Sequence, residues 1–208
     1  ETSGSIKFTP VADASGSAVI TVSVEDGGLD GDLSTSGDNA TTSQTFTLTV
    51  NAVNDLPTLA AISDLTIDED APEQTVNLAG ITAGGGETQP LRVTASSDNT
   101  NLVPSPAVTY TSDETSGSIQ FTPVADASGS AVIIVTVEDG GLDEDLSTKD
   151  DNATFTQELL VTVDPVNDEP VISRIEDTLL TTDEDNPISF HGVEASDPDT
   201  SEILTFDN

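Results

Sequence analysis

The sequence predicts an all-β chain of tandem seven-stranded Greek-key sandwiches, set end to end as a rod. Three observations predict it. One long unit recurs, apolar residues alternate along short runs, and acidic and turn-forming residues gather between those runs. Recurrence is the strongest of the three. Glu1-Thr2-Ser3-Gly4-Ser5-Ile6 returns as Glu114-Thr115-Ser116-Gly117-Ser118-Ile119, and the same 113-residue offset holds without a gap through Asn54-Asp55 and Asn167-Asp168. A period this long is a whole domain and not a solenoid turn. Residues 54–166 then form one complete repeat, 1–53 the C-terminal half of another, and 167–208 the N-terminal part of a third.

Comparing the copies shows which side chains face inward. Ile6, Phe8, Ile20, Val22 and Val24 return as Ile119, Phe121, Ile133, Val135 and Val137, whereas Lys7, Thr21 and Ser23 between them become Gln120, Ile134 and Thr136. Retained positions alternate with changed ones, which is the period of a half-buried strand. Along the complete repeat this pattern predicts strands over 59–67, 74–79, 91–96, 107–111, 118–123, 130–138 and 153–163. Clusters of Gly, Pro, Asp and Asn separate them. No window keeps a helical period. Seven short strands in roughly 110 residues suit two packed sheets, with a core of Val, Ile and Leu around Phe121, Tyr110 and Phe155.

Composition bounds the function. The 208 residues carry a formal net charge of −35 and only four Lys plus Arg. Such a field repels nucleic acid and anionic membrane surfaces and attracts cations. Cysteine is absent, so there is no disulfide framework and no thiolate metal site. No apolar run reaches membrane-spanning length. The chain opens on Glu1 without a leader or any Met, and we expect it to be a window from a longer polypeptide.

The junction Asp164-Pro165-Val166-Asn167-Asp168-Glu169-Pro170 follows the last strand, where proline stops the ladder. Asn51-Ala52-Val53-Asn54-Asp55-Leu56-Pro57 is its counterpart one repeat earlier, and Asp183-Glu184-Asp185-Asn186-Pro187 lies just beyond it. From Gln74 to Glu138 the strands of the complete repeat are nearly free of acid until Glu138 itself, and the acids sit in the turns. In a sandwich the turns lie at the two poles, where like charges repel and a hard divalent cation held by carboxylate oxygens removes the repulsion. A merely solvated acidic surface would also place acids on outward strand positions, which are mostly Thr, Ser and Val here.

These pieces, namely Val-Asn-Asp-x-Pro at the junction, Asp-Glu-Asp-x-Pro after the first strand, Ala195-Ser196-Asp197-Pro198-Asp199, and Val137-Glu138-Asp139-Gly140-Gly141, resemble the cadherin-like tandem repeats of large bacterial surface and secreted proteins. The resemblance implies a cadherin/immunoglobulin-like sandwich with Ca2+ between consecutive domains. At the second junction it implies Glu69, Asp70, Asp126, Asp164, Asn167, Asp168, Asp197 and Asp199 as ligands. At the first it implies Asp13, Asn54, Asp55 and Asp139, with Glu87 as the one acid kept where Gly84-Gly85-Gly86 replaces the Asp-x-Asp pair. Asn51 stands where the second junction has Asp164, so the first junction has fewer charged ligands and weaker expected affinity.

The long hairpin carrying Asp139, Asp143 and Asp145 and ending at Asp150-Asp151-Asn152 is an addition to that pattern. It either binds a second ion or caps the junction. It is not an EF-hand, since the twelfth position from Asp143 is Thr154. His191, the single histidine, reads as a surface or packing residue. With one histidine, no cleft and no stacking aromatics, an enzyme is not expected. Asn39-Ala40-Thr41 and Asn152-Ala153-Thr154 match the glycosylation sequon and equally suit turns entering the last strand.

Two functions follow. One is a structural spacer in an extracellular, cell-surface fibre or adhesin of a bacterium, rigidified by Ca2+ and partnered by neighbouring repeats of the same or an identical chain. The other is a Ca2+-dependent carbohydrate- or protein-binding adhesion module. Neither the 1–53 piece nor the 167–208 piece can close two sheets alone. We therefore expect Ile6, Phe8, Ile20 and Val22 to pack against polypeptide supplied in cis or in trans.

Overall fold

A computed structural model describes residues 3–35, 37–175, 181–185, 187, 192–199 and 204–205. Among them the regular elements are all strands. In chain order they are β1 (Gly16–Glu25), β2 (Thr41–Val50), β3 (Leu65–Asp68), β4 (Gln74–Ala79), β5 (Leu91–Ser97), β6 (Ala107–Thr109), β7 (Ser116–Phe121), β8 (Gly129–Asp139), β9 (Thr154–Asp164), β10 (Val171–Ile175) and β11 (Val193–Ser196).

Strands β3 to β9 make an immunoglobulin-like sandwich. One sheet runs β3-β9-β8-β5 and the other β4-β7-β6. The inward positions carry the core. Ile119, Ile133 and Val135 are fully buried, Phe121 is 4 % exposed, and Leu78, Ile81, Val103 and Leu159 close around them. Tyr110 and Phe155 pack on this core from partly buried positions. Along β8, buried residues alternate with partly buried ones from Ala131 to Asp139, as the comparison of the two copies predicts.

Two expectations need correction. The predicted strand over 59–67 is split. Its upper end bridges Thr58 to Thr82, whereas β3 at its lower end pairs in parallel with β9. The break falls where the Asp64 carboxylate accepts a hydrogen bond from the Leu160 N–H at 3.0 Å, a side chain taking the place of a backbone ladder. The chain thus changes sheets at this point. The half-repeat expected in 1–53 holds two strands, β1 and β2, and the counterpart of β7, around Ile6 and Phe8, forms no strand. In the central repeat β7 is held by β4 on one side and β6 on the other. Residues 3–8 have no such neighbours.

The β1–β2 hairpin keeps the register of its homologue but not its cover. Ile6 is 53 % exposed and Phe8 41 %, with Phe8 resting edge-on against Phe46 at 6.0 Å. Past the junction, β10 pairs antiparallel with β11. His191, Phe190 and Asn186 lie outside the described residues.

Candidate metal centre

Strand register brings the second-junction acids together. The parallel pairing of β3 with β9 ends at Asp68 opposite Asp164, so Glu69 and Asp70 emerge beside the departing linker. The antiparallel pairing of β8 with β9 sets Gly129 opposite Val163. That places the preceding turn, with Asp126, at the same pole. Asp70 and Asp126 hold left-handed backbone conformations, φ 61° and 54°, which Asp tolerates better than most side chains. The Asp126 N–H donates to Asp70 Oδ1 at 3.3 Å.

Glu69 fixes the exit of the linker. It is 6 % exposed. Its N–H donates to the Asp164 carbonyl at 2.9 Å, and its Oε1 accepts from the Val166 N–H at 2.8 Å. The next unit contributes Asp199, whose Oδ2 accepts from the Asp168 N–H at 2.8 Å. Two carboxylate triads result, Glu69–Asp168–Asp199 and Asp70–Asp126–Asp168, each with one oxygen per residue within 4.8 Å of the others. Asp168 belongs to both.

Among the described residues no cationic side chain forms an ion pair with this cluster. Asp168 Oδ2 is buried and accepts no hydrogen bond. Burial raises the Asp168 carboxyl above its ordinary range, and the fields of Asp70, Asp126, Asp199 and Glu69 raise it further. Oxygens within 4.8 Å of one another suit a calcium ion, whose ligands sit at about 2.3–2.6 Å. The donor set is all oxygen and mostly charged. These residues therefore fit the ion that the resemblance implies.

Three of the expected ligands stand beside the centre and not in it. Asp164 is exposed and contributes its main-chain carbonyl to Glu69. The Asn167 side-chain amide donates to the Asp168 carbonyl at 2.9 Å. Asp197 Oδ1 accepts from the Asp199 N–H at 2.9 Å and shapes the turn that presents Asp199.

The first junction repeats the plan with fewer acids. Asp13, Asp55 and Glu87 line one cavity of about 220 Å³ together with Asn51. Glu87 Oε2 accepts from the Asp55 N–H at 3.2 Å, as Asp199 does from Asp168. The longer side chain reaches the same place from one residue further along. The glycines are required here. A Cβ on Gly84 would lie 2.1 Å from the Leu56 carbonyl oxygen, and one on Gly85 would lie 2.0 Å from Asp55 Oδ2. Both glycines have positive φ. The Asn54 side chain faces inward, donating to Asp139 Oδ1 at 3.2 Å and to the Asp151 carbonyl at 3.1 Å, and accepting from Gln89 Nε2 at 2.7 Å. Sequence reasoning missed Gln89, which carries no motif, and named Asp151 only as part of the long hairpin.

The hairpin between β8 and β9 occupies Asp143 and Asp145 with its own turns. Asp143 accepts from the Asp145 N–H at 3.0 Å and the Thr148 hydroxyl at 2.8 Å. The Asp145 carboxylate accepts from the Ser147 hydroxyl at 2.7 Å and the Ser147 N–H at 2.8 Å. Those bonds hold the Asp145 carboxyl below its ordinary range. Asp30 and Asp32 make the same bonds in the earlier copy. The loop is a self-contained unit that folds alike twice. Asn152 is partly buried, and its amide nitrogen lies 3.5 Å from Glu138 Oε1.

No family model and no curated protein matches the chain. Solved structures are similar at low identity. Domains 4 and 5 of the S-layer protein SbsC are 17 % identical, with 72 % of this chain and 58 % of that one covered and a TM-score of 0.37. The rSbsC(31-844) structure is 16 % identical over 88 % of this chain and 25 % of that one, with a TM-score of 0.34. The titin Z1Z2 domains in complex with telethonin are 16 % identical over 60 % and 56 % of the two chains, also with a TM-score of 0.34. The chain thus spans less than two thirds of the length of each.

Proposed function

We propose that this chain is a spacer segment of a long extracellular fibre or adhesin on a bacterial surface, stiffened by Ca2+ bound where consecutive sandwiches meet. Residues 54–166 are one whole repeat in this reading, with 1–53 and 167–208 belonging to its neighbours. One observation carries the proposal: acids from the end of β3, the turn before β8, the linker and the following unit converge on Asp168. Glu69, Asp70, Asp126, Asp168 and Asp199 would hold the ion. Asp13, Asp55 and Glu87 would hold its weaker counterpart at the first junction. The bound ion neutralises the cluster and ties the two units to one point. The alternative, a Ca2+-dependent carbohydrate- or protein-binding module, gains nothing from the hairpin tip, where Asp143 and Asp145 are taken up internally.

Small-angle scattering through a calcium titration tests the proposal. Saturating calcium is expected to lengthen the particle and narrow its distance distribution, with a calorimetric endpoint of at least one ion per chain. Superimposable curves with and without calcium would overturn it.

The raised Asp168 carboxyl gives the pH dependence its sign. Without a cation the ionised form is disfavoured, so the junction is tightest with Asp168 protonated and loosens as pH rises through the raised value. Calcium requires the ionised form, so affinity falls on acidification. The fall is expected to begin above the ordinary Asp range of about 4. Calorimetric titrations at stepped pH that stay flat down to that range would contradict this.

A further inference from the structure

The two sheets of the central sandwich end on β3 and β5 and on β4 and β6. An exposed sheet edge is a template for a further strand, so each edge needs an account of what covers it. β3 has four residues and β6 three. The chain ahead of β3 lies along the end of β4, where the Ala60 N–H donates to the Ala79 carbonyl at 2.9 Å. β5 is the longest of the four, seven residues with no proline and no break in its register against β8.

The direction of its backbone groups is fixed at both ends. Just past the strand, the Asp98 N–H donates to the Val132 carbonyl at 3.0 Å. Residues of an antiparallel strand alternately face their partner strand and face away from it. Even-numbered residues of β5 therefore bond to β8, and odd-numbered ones point outward. The outermost of these are capped by serines: the Leu91 N–H donates to Ser112 Oγ at 2.9 Å and the Ser97 N–H to Ser105 Oγ at 3.4 Å. Between the caps, the N–H and C=O groups of Val93 and Ala95 point away from β8, with no strand beside them among the described residues.

This edge opens onto a groove between the sheets. Val93 and Val108, from opposite sheets, line a cavity of about 290 Å³ with Leu91, Arg92, Tyr110 and Leu146. A strand added at β5 would turn alternate side chains into that cavity and the others toward solvent. Charge selects which strand. Asp98 follows one end of β5, and Asp113 and Glu114 follow the Ser112 cap at the other. Burial, and then the fields of Asp113 and Glu114, raise the Tyr110 hydroxyl above its ordinary range. Arg92, the cation on the strand, is taken up by Glu138 Oε2 at 3.1 Å. A second copy of the chain would bring its own net charge of −35 to this acid-flanked edge, which opposes pairing between copies.

We propose that the β5 edge is the docking site for an extended basic segment of a partner protein, which adds a strand to the β3-β9-β8-β5 sheet. The Val93 and Ala95 backbone supplies the hydrogen bonds, the cavity takes the apolar side chains, and the flanking acids favour Lys or Arg between them. The site uses none of the junction acids and rests on neither ion.

The test uses the full chain at low salt with a synthetic peptide that alternates Val and Lys, and with a second that alternates Val and Glu. Binding of the first is expected to slow amide exchange at Val93 and Ala95, while Thr94 and Ser96, already bonded to β8, are unchanged. The second peptide should bind about tenfold more weakly or worse. Ala95→Pro removes one outward N–H and leaves the ladder to β8 intact, since proline is tolerated on the open side of an edge strand. It should weaken binding of the Val-Lys peptide by about tenfold or more, and the exchange readout in the unaltered chain does not require that variant to fold. No binding, slowed exchange elsewhere than at Val93 and Ala95, equal affinity for the two peptides, or unchanged affinity in a folded Ala95→Pro variant overturns the proposal. Protection of Val93 and Ala95 that rises with chain concentration alone would give the edge to a second copy and overturn it as well.

Discussion

Asp168→Ala is expected to weaken calcium binding at the second junction by about tenfold or more, since affinity follows the number of charged ligands. It should also release β10 and β11 from the central sandwich. Asp168 is the one carboxylate shared by both acidic triads, so its removal leaves two pairs of acids too few to hold an ion. The sandwich should stay folded, because the Asp168 side chain takes no part in the β3-β9-β8-β5 or β4-β7-β6 ladders. Asp164→Ala is the matching control. It removes an equal charge from the same linker, but its carboxylate stands outside both triads. Calorimetry of the two variants, with hydrogen exchange across 166–170 in calcium, separates a site from a diffuse acidic screen. Equal losses in both variants would mean that charge alone matters.

The acids behind that prediction were singled out in the sequence by the resemblance, and the register of the strands explains why they lie near one another. Glu69, Asp126 and Asp168 sit at or just beyond strand ends, and an immunoglobulin-like sandwich places those ends at one pole whatever the details of packing. The buried faces of β7 and β8 were legible because two copies of the repeat retain the inward residues and vary the outward ones. The split of the first strand was not. Leu59, Ile62, Leu65 and Ile67 read as one apolar run, and the break depends on Asp64 reaching Leu160, nearly a hundred residues away. Nor were the roles of Asp143 and Asp145. A turn acid can meet a cation or cap nearby N–H and hydroxyl groups, and Ser147 and Thr148 decide for capping. Glu87 was singled out as the one acid kept at the counterpart of the Asp-x-Asp pair, but its bond to the Asp55 N–H follows from the glycine loop that presses onto the linker.

Phe121→Ala and Phe8→Ala make the same change at equivalent positions of the repeat, and their effects are expected to differ widely. Phe121 is almost wholly buried between the two sheets, so its truncation should cost about 3–5 kcal/mol and lower the melting temperature of the sandwich by roughly 12–25 °C. Phe8 keeps only its edge-on contact with Phe46 and remains 41 % exposed. An aromatic pair of that kind contributes about 0.5–1.5 kcal/mol, and its loss should leave the melting of β3–β9 unmoved. The contrast turns Phe8 into a probe of what covers β1 and β2. Ile6, Phe8 and Val24 present the side chains that are buried as Ile119, Phe121 and Val137 in the central repeat, where β4 flanks β7, β5 flanks β8, and Leu102 and Val103 join the same core. A polypeptide with the chemistry of 54–113 is therefore the complement of this face. Fusing that segment ahead of residue 1, or concentrating the chain until copies associate, should raise the cost of Phe8→Ala towards that of Phe121→Ala and protect β1 and β2 from hydrogen exchange. If Phe8→Ala already costs several kcal/mol in the dilute monomer, the half-repeat closes on itself and has no need of a complement.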